Sequence, residues 1–352
     1  MSRRGGATFA LAAAVLLWSA AGSANHDRIP DPAPRSTDAR LPADLKLDRS
    51  AVTVSGLSSG GFFAHQFHVA FSSLVNGAGI VAGGPYGCVE TIASPYWPYP
   101  PLDWFSAALV ACTHYSGDRY WGLRPAPPRV EDALALVEDA RRRGAIDDPA
   151  NLADDRVWLF RGDKDEIVPE AVEGTLEGLY EALGARGARL RVEPKDPRRP
   201  ANHGMPVDRF RGESRFPKRR CSEHEPPFII ECGRDAAGLL LRHLYPEGFN
   251  GSPADPHAAG TLAAFDQTEF FERGDGALSL SGVGYVYVPT ACLAGGCRLH
   301  VAFHGCRQNV DARGADRVND DFVRDAGYNR WAAANRIVVL YPQTTASAPN
   351  PN

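Results

Sequence analysis

Strand-like and helix-like segments take turns along this chain from Ala51 to Tyr341, and that alternation narrows the folds open to it more than any other feature. Ala51-Val52-Thr53-Val54 alternates as a short strand does, and Gly60 to Ser73 carries apolar residues at helical spacing. Gly79 to Gly84, Arg156 to Phe160, Arg189 to Val192, Ala277 to Pro289, Arg298 to Phe303 and Ile337 to Tyr341 read as further strands. Val130 to Arg143, Pro169 to Leu183, Asp235 to Leu244 and Asp320 to Asn335 read as helices. Strands interleaved with helices predict an α/β fold: a mostly parallel sheet with helices on both faces. With 352 residues, 44% of them hydrophobic, the chain has apolar material for one large domain of this kind.

The N-terminus has a different character. Arg3 and Arg4 precede an apolar run from Ala7 to Ala21, and Gly22-Ser23-Ala24 supplies small residues for cleavage. That is the plan of a secretory signal peptide over residues 1–24. Arg3-Arg4 also suits a twin-arginine signal, although Gly5-Gly6 stands where apolar residues would follow, so ordinary secretion is favoured. Residues 25–46 are proline-rich and polar and read as a flexible leader, leaving 47–352 as a single catalytic-sized domain. No later stretch is long enough to span a bilayer, so no membrane association is expected. A net charge of −4, with basic runs such as Arg141 to Arg143 flanked by acids, gives no footprint for nucleic acid. Oligomeric state is left open.

Seven cysteines fit an oxidising destination. Cys292 and Cys297 can close a small loop, as can Cys221 and Cys232, and Cys88 with Cys112 would staple an aromatic, proline-rich excursion. Cys306 is then left over. No CxxC pair or His/Cys cluster has zinc spacing, so no metal and no cofactor is expected.

Gly56-Leu57-Ser58-Ser59-Gly60 fits G-x-S-x-G. The pattern alone is weak in a chain with 35 glycines, and a plain glycine-rich turn would match it equally. Its context is stronger: a strand leads in and a helix leads out, as a nucleophile elbow requires. The turn forces the serine into a strained backbone, and bulky neighbours would collide with the adjoining strand and helix. Ser58 is therefore the candidate nucleophile, with Ser59 as its rival.

A serine hydroxyl needs a base to take its proton. In α/β-hydrolases the acid and then the histidine follow the serine along the chain. The strand Arg156 to Phe160 runs into Arg161-Gly162-Asp163-Lys164-Asp165-Glu166, which puts an acid at the carboxyl edge of the sheet. Asp165 is the candidate and Asp163 the alternative. Among ten histidines, His203 lies in a loop after the next strand, in the chain order the base requires. His65 and His68 fall on the helix behind the nucleophile, His243 on a helix and His300 inside a strand, where histidines are commonly structural.

An ester hydrolase also needs two backbone N–H groups aimed at the developing oxyanion. Ser59, next to the nucleophile, supplies one. The other normally comes from a strand-to-helix loop upstream, but only a short leader precedes Ser58 here. Arg298 to Phe303 is a strand that runs into His304-Gly305-Cys306, the style of an oxyanion loop. The economical inference is a circular permutation, with Cys306 as second donor and His304 as its packing or hydrogen-bonding neighbour.

These residues resemble the short-chain-length polyhydroxyalkanoate depolymerases, in the permuted form with the lipase box near the N-terminus. The matching pieces are Gly56 to Gly61, Ala82-Gly83-Gly84-Pro85-Tyr86, the Asp165 and His203 loops, Cys232 to Tyr245, Gly284 to Pro289, His300 to Gln308, and Ala326 to Asn329 through Leu340 to Gln343. They span nearly everything from Ala51 onward. The resemblance implies hydrolysis of poly(3-hydroxybutyrate) or its oligomers through an acyl-enzyme, without metal or cofactor, and makes Tyr86 and His304 candidates for substrate contact.

Two departures stand out. Ser94 to Trp121, with Tyr96, Trp97, Tyr99, Trp104 and Tyr120, is longer and more aromatic than the family's connection, as a polyester-facing surface or a packed lid would be. The chain stops at Asn350-Pro351-Asn352 where family members continue with a cysteine- and tryptophan-rich stretch. That implies a truncated domain whose lost piece holds the partner of Cys306. Two rival functions remain open on the sequence: a related secreted esterase for small or plant-derived esters of feruloyl or acetyl type, and an inactive polymer-binding relative.

Overall fold

A computed structural model of the chain describes residues 37, 39–42, 45–90, 104–114, 126–212, 214–271, 279–312 and 317–347. The expected signal peptide, most of the aromatic excursion and the last residues lie outside these. In chain order the elements are β1 (Val52–Leu57), α1 (Ser59–Ala70), β2 (Val75–Val81), α2 (Trp104–Cys112), α3 (Val130–Arg142), β3 (Arg156–Phe160), α4 (Glu170–Ala182), β4 (Leu190–Val192), β5 (Met205–Val207), β6 (Arg219–Arg220), β7 (Ile229–Glu231), α5 (Ala236–Leu244), α6 (Pro256–Ala259), β8 (Gly260–Asp266), β9 (Val283–Pro289), β10 (Arg298–Phe303), α7 (Asp321–Asp325), α8 (Tyr328–Asn335) and β11 (Ile337–Tyr341).

Eight strands form one sheet in the order β4-β3-β2-β1-β10-β11-β9-β8. From β4 to β11 the neighbours are parallel; β9 and β8 are antiparallel. The expected mostly parallel α/β sheet is present. Period-two burial builds its two faces. Leu57, Val81, Trp158, Phe160 and Ala302 point into one core with α5 and α8, through Leu240, Leu244, Tyr328 and Trp331. Val54, Ile80, Val157, Leu159 and Val301 point into the other with α1 and α4, through Ala64, Leu176 and Tyr180. Each such side chain contributes about 1.5–3 kcal/mol on burial, which explains why a continuous apolar run suits a strand covered on both faces.

β1 is buried along its whole length and lies at the centre, pairing with β2 on one side and β10 on the other. Its polar residues are bonded to its neighbours. Thr53 Oγ1 lies 2.7 Å from His300 Nδ1 and donates to Tyr245 at 2.6 Å, while Ser55 Oγ lies 2.8 Å from His300 Nε2 and 2.7 Å from the Tyr328 hydroxyl. Burial pushes His300 down to about 3, so it stands as a neutral link in this network.

The differences from the expected elements have local causes. The helix expected over Asp320 to Asn335 is two helices, α7 and α8, broken by Gly327 in the left-handed region at φ 95°. The strand expected from Ala277 begins at Val283. β8 is an additional strand: Gly260, Ala263 and Ala264 dilute the strand signal of Thr261 and Phe265, and its seven-residue pairing with β9 compensates. Of the stretch read as a flexible leader, Leu41 and Leu45 pack on a core cluster under β8 and β9, and the Ala39 carbonyl accepts from Asp266 N–H at 2.6 Å. The three expected disulfides, Cys88–Cys112, Cys221–Cys232 and Cys292–Cys297, are formed, and Cys306 is free and exposed.

Candidate active site

Three loops leave the carboxyl ends of β1, β3 and β10 in the central part of the sheet. Ser58 follows the last residue of β1 and precedes α1, at φ 56° and ψ −125°. This strained, non-glycine conformation lets the strand turn into the helix within one residue. The glycines around it are there for space: a Cβ on Gly56 would overlap the Gly60 carbonyl, and one on Gly60 would overlap the Phe303 and His304 carbonyls of the adjoining strand. Ser58 is half-exposed, and as the first residue of α1 Ser59 has an N–H its helix cannot use.

β3 lies two strands from β1, an offset of about 10 Å. Its loop turns back so that Asp165 Oδ1 accepts from Ile167 and Val168 N–H, both at 2.8 Å, at the entry to α4. Asp165 and His203 come together: His203 Nδ1 lies 2.8 Å from Oδ2 and 3.0 Å from Oδ1, and both side chains are almost fully buried. A carboxylate only accepts, so Nδ1 carries the proton and Nε2 presents a lone pair. Asp163 is elsewhere, with Oδ1 accepting from Ala201 N–H at 3.4 Å.

The His203 loop is itself anchored. The side-chain oxygen of Asn202 accepts from His203 N–H at 2.7 Å and Glu166 N–H at 3.3 Å, while its amide donates to the Ser222 carbonyl. One residue thus ties the acid loop, the base loop and the disulfide loop 221–232. Below them β5, β7 and β6 form a small parallel sheet stapled by Cys221–Cys232.

The third loop follows β10. Because β10 pairs with β1, His304-Gly305-Cys306 arrives beside the serine turn: a Cβ on Gly305 would stand 3.4 Å from the Ser58 Cβ. Three tethers hold this loop. His304 Nδ1 donates to the Gly305 carbonyl at 2.9 Å, Gly305 N–H donates to Gln308 Oε1 at 2.8 Å, and Gln308 Nε2 donates to the Pro227 carbonyl at 3.0 Å. His304 Nε2 accepts from Thr344 N–H at 3.3 Å, and burial lowers its pKa. Among the described residues no acceptor takes the Cys306 N–H.

The two expected substrate contacts, His304 and Tyr86, both have partners within the fold. Both ring nitrogens of buried His304 are engaged within the fold, so it acts as a hydrogen-bonding neighbour of the loop. Tyr86 packs with Val69, Val137 and Leu152, at the far end of α1 from Ser58. His65 and His68 are structural, as expected behind the nucleophile helix. His68 bridges Tyr180 and Asp155, each at 3.0 Å, and burial, with the neighbouring His68 second, pushes His65 down to about 3. Asn202, Gln308 and His224, whose ring centroid lies 5.3 Å from that of His203, were not singled out from sequence. The one signal was their adjacency to His203, Cys306 and Cys221. Among the described residues no group of three His, Cys, Asp or Glu side chains converges as a metal ion would require.

No protein-family model matches the chain. Over 317 residues it is 37% identical to a poly(3-hydroxybutyrate) depolymerase of Delftia acidovorans, covering 88% of this chain and 55% of that protein. The chain therefore spans about half the length of that relative. Over 309 residues it is 30% identical to a polyhydroxybutyrate depolymerase of Talaromyces funiculosus, covering 86% of this chain and 77% of that one. Two solved structures are similar at 27% identity and a TM-score of 0.66. One is a PHB depolymerase, in a substituted form, complexed with R3HB trimer, covering 89% of each chain. The other is a PHB depolymerase from Penicillium funiculosum, covering 87% of each.

Proposed function

This chain belongs to the polyhydroxybutyrate depolymerase family, and we propose that it is a serine esterase that cleaves poly(3-hydroxybutyrate) or its oligomers with Ser58, His203 and Asp165 as triad. The observation that carries this reading is the 2.8 Å contact of His203 Nδ1 with Asp165, which leaves Nε2 as a base. The strained turn at Ser58, between a buried strand and a helix, supports the nucleophile assignment.

His203 Nε2 takes the Ser58 proton as Oγ attacks the ester carbonyl. Asp165 keeps the imidazole in the Nδ1–H tautomer and offsets the imidazolium charge. The Ser59 and Cys306 N–H groups receive the oxyanion. Collapse expels the hydroxyl end of the leaving unit, which takes the proton from His203. Water, deprotonated by the same nitrogen, then attacks the acyl-enzyme and frees Ser58.

The strand order supports a circular permutation: β10 and β11 close the sheet beside β1 although they come last in the chain. Secretion is supported by three disulfides, and no described helix is long and apolar enough to cross a membrane.

Product analysis tests the function. Incubation with amorphous poly(3-hydroxybutyrate), and separately with a soluble trimer, should release 3-hydroxybutyrate and short oligomers. Hydrolysis of p-nitrophenyl butyrate without products from either polyester would assign the chain to small esters. Adsorption to polymer without any hydrolysis would make it an inactive binding relative.

A further inference from the structure

His224 is half-buried, and no step of the mechanism uses it. Its ring stands perpendicular to that of His203, at 89°. Its ring also lies 5.3 Å from that of Phe228, and the Arg307 guanidinium covers the Phe228 ring at 5.5 Å. The stack therefore runs from the loop beside Ser58 to the catalytic base: Arg307, Phe228, His224, His203.

The loop that holds His224 cannot easily relax. Cys221–Cys232 closes it, Phe228 N–H donates to the Glu225 carbonyl at 2.8 Å, and Met205 N–H donates to the Phe228 carbonyl at 2.9 Å. Phe228 sits at φ 59°, a left-handed conformation a bulky residue adopts only when its surroundings impose it. Asn202 joins the same loop to the backbone of His203.

Among the described residues the His203 ring is hydrogen-bonded at Nδ1 alone, where both Asp165 oxygens lie within 3.0 Å. Bonding at that one nitrogen leaves the tilt of the ring to be fixed by packing, and a tilt would carry Nε2 away from Ser58. A rigid ring packed edge-to-face against the imidazole removes that freedom. Resting on the triad assignment above, we propose that His224 is a positioning residue, whose ring, clamped by Phe228, holds the His203 imidazole in line between Asp165 and Ser58.

Charge requires the clamp to be neutral while His203 carries the proton, since two adjacent imidazolium rings would repel. The surroundings secure this. Burial first, and then the neighbouring His203, push His224 down to about 4; Arg307 acts in the same sense, while Asp165 and Glu166 oppose it. At neutral pH His224 is therefore uncharged. A phenylalanine at 224 would preserve the clamp, being flat and uncharged.

Kinetics of His224→Phe, His224→Leu and His224→Ala on p-nitrophenyl butyrate test this, together with the downfield proton resonance of the His203 Nδ1–H. Misplacing a base in this way costs about tenfold to a hundredfold in turnover. The Ala and Leu variants should lose that much kcat with little change in KM, and their downfield resonance should broaden. The Phe variant should keep both the rate and the resonance. Should Ala fail to fold, the Phe–Leu pair, similar in bulk but not in flatness, decides alone. Equal kcat and an unchanged resonance in Phe and Leu overturn the proposal. His203→Ala separates the two ideas: if it stays active, the triad assignment itself fails, whereas an inactive His203→Ala beside a fully active His224→Leu removes only the role of His224.

Discussion

The Ser58 N–H donates to the Val81 carbonyl at 2.9 Å, so the candidate nucleophile is still bonded to β2 at the point where its own backbone departs from the strand. The bond fixes the amide while φ turns positive, and the hydroxyl is carried out of the sheet. Strain of this kind costs about 1–3 kcal/mol and persists only because the neighbours over-determine it.

Replacing Ser58 separates chemistry from strain. Ser58→Ala should cut esterase activity by about four orders of magnitude with the fold intact, as loss of a triad member does. Ser58→Gly should be equally inactive but melt above Ser58→Ala, since glycine adopts φ 56° without the Cβ penalty. Ser59→Ala should keep its activity, because only the Ser59 backbone is used. Activity retained in Ser58→Ala and lost in Ser59→Ala would reassign the nucleophile.

Asp165→Asn should slow turnover by about 10⁴ without loss of structure, because an amide favours the wrong imidazole tautomer. Asp163→Asn should matter little, since among the described residues the Asp163 carboxylate accepts only from Ala201 N–H, at 3.4 Å. Turnover of both variants at one pH decides between them, and a reversed ranking would sink the assignment.

Six of the seven cysteines are paired, leaving Cys306 exposed beside the serine turn. Thiol titration of the denatured, unreduced monomer should find one thiol per chain. Cys306→Ser should abolish it while leaving turnover close to that of the parent, because the proposed oxyanion donor is the backbone N–H. Any other thiol count overturns the pairing, and inactivity of a folded Cys306→Ser would implicate the side chain.

Much of this architecture is legible along the chain because its signals are local. The Ser58 turn shows itself by glycines needed within two residues, and β3 by the four-residue apolar run Val157 to Phe160. The small cysteine loops are legible for the same reason. What the sequence hides is long-range. Asp165 is preferred over Asp163 on the sequence, but what orients it, the N–H groups of Ile167 and Val168, exists only once the loop folds. Tyr86 sits in a motif near the nucleophile by number, yet the turn after β2 sends its ring down the far side of α1. His224 looks like part of a charged, proline-rich surface loop, and only the disulfide and the Asn202 bonds bring it against His203.

Glu173, on α4 behind the acid loop, is buried with Oε1 lacking any partner among the described residues. Burial holds its carboxyl well above the usual range, with the nearby Asp165 charge adding to the effect and Arg161 opposing it. The folded chain therefore keeps this proton to a higher pH than the unfolded chain, whose glutamate ionises near 4.5. Protons bound preferentially by the folded state mean stability that is whole below 4.5 and falls as pH rises toward the folded pKa. Glu173→Gln removes the titration and keeps the shape. Melting temperatures from pH 4 to pH 9 should show a gain for Glu173→Gln over the parent that is smallest at the acid end and grows as pH rises. Any constant cost of burying the amide shifts both ends equally and leaves that slope intact. Parallel melting curves for the two chains across the range would show that Glu173 is ionised in the folded protein.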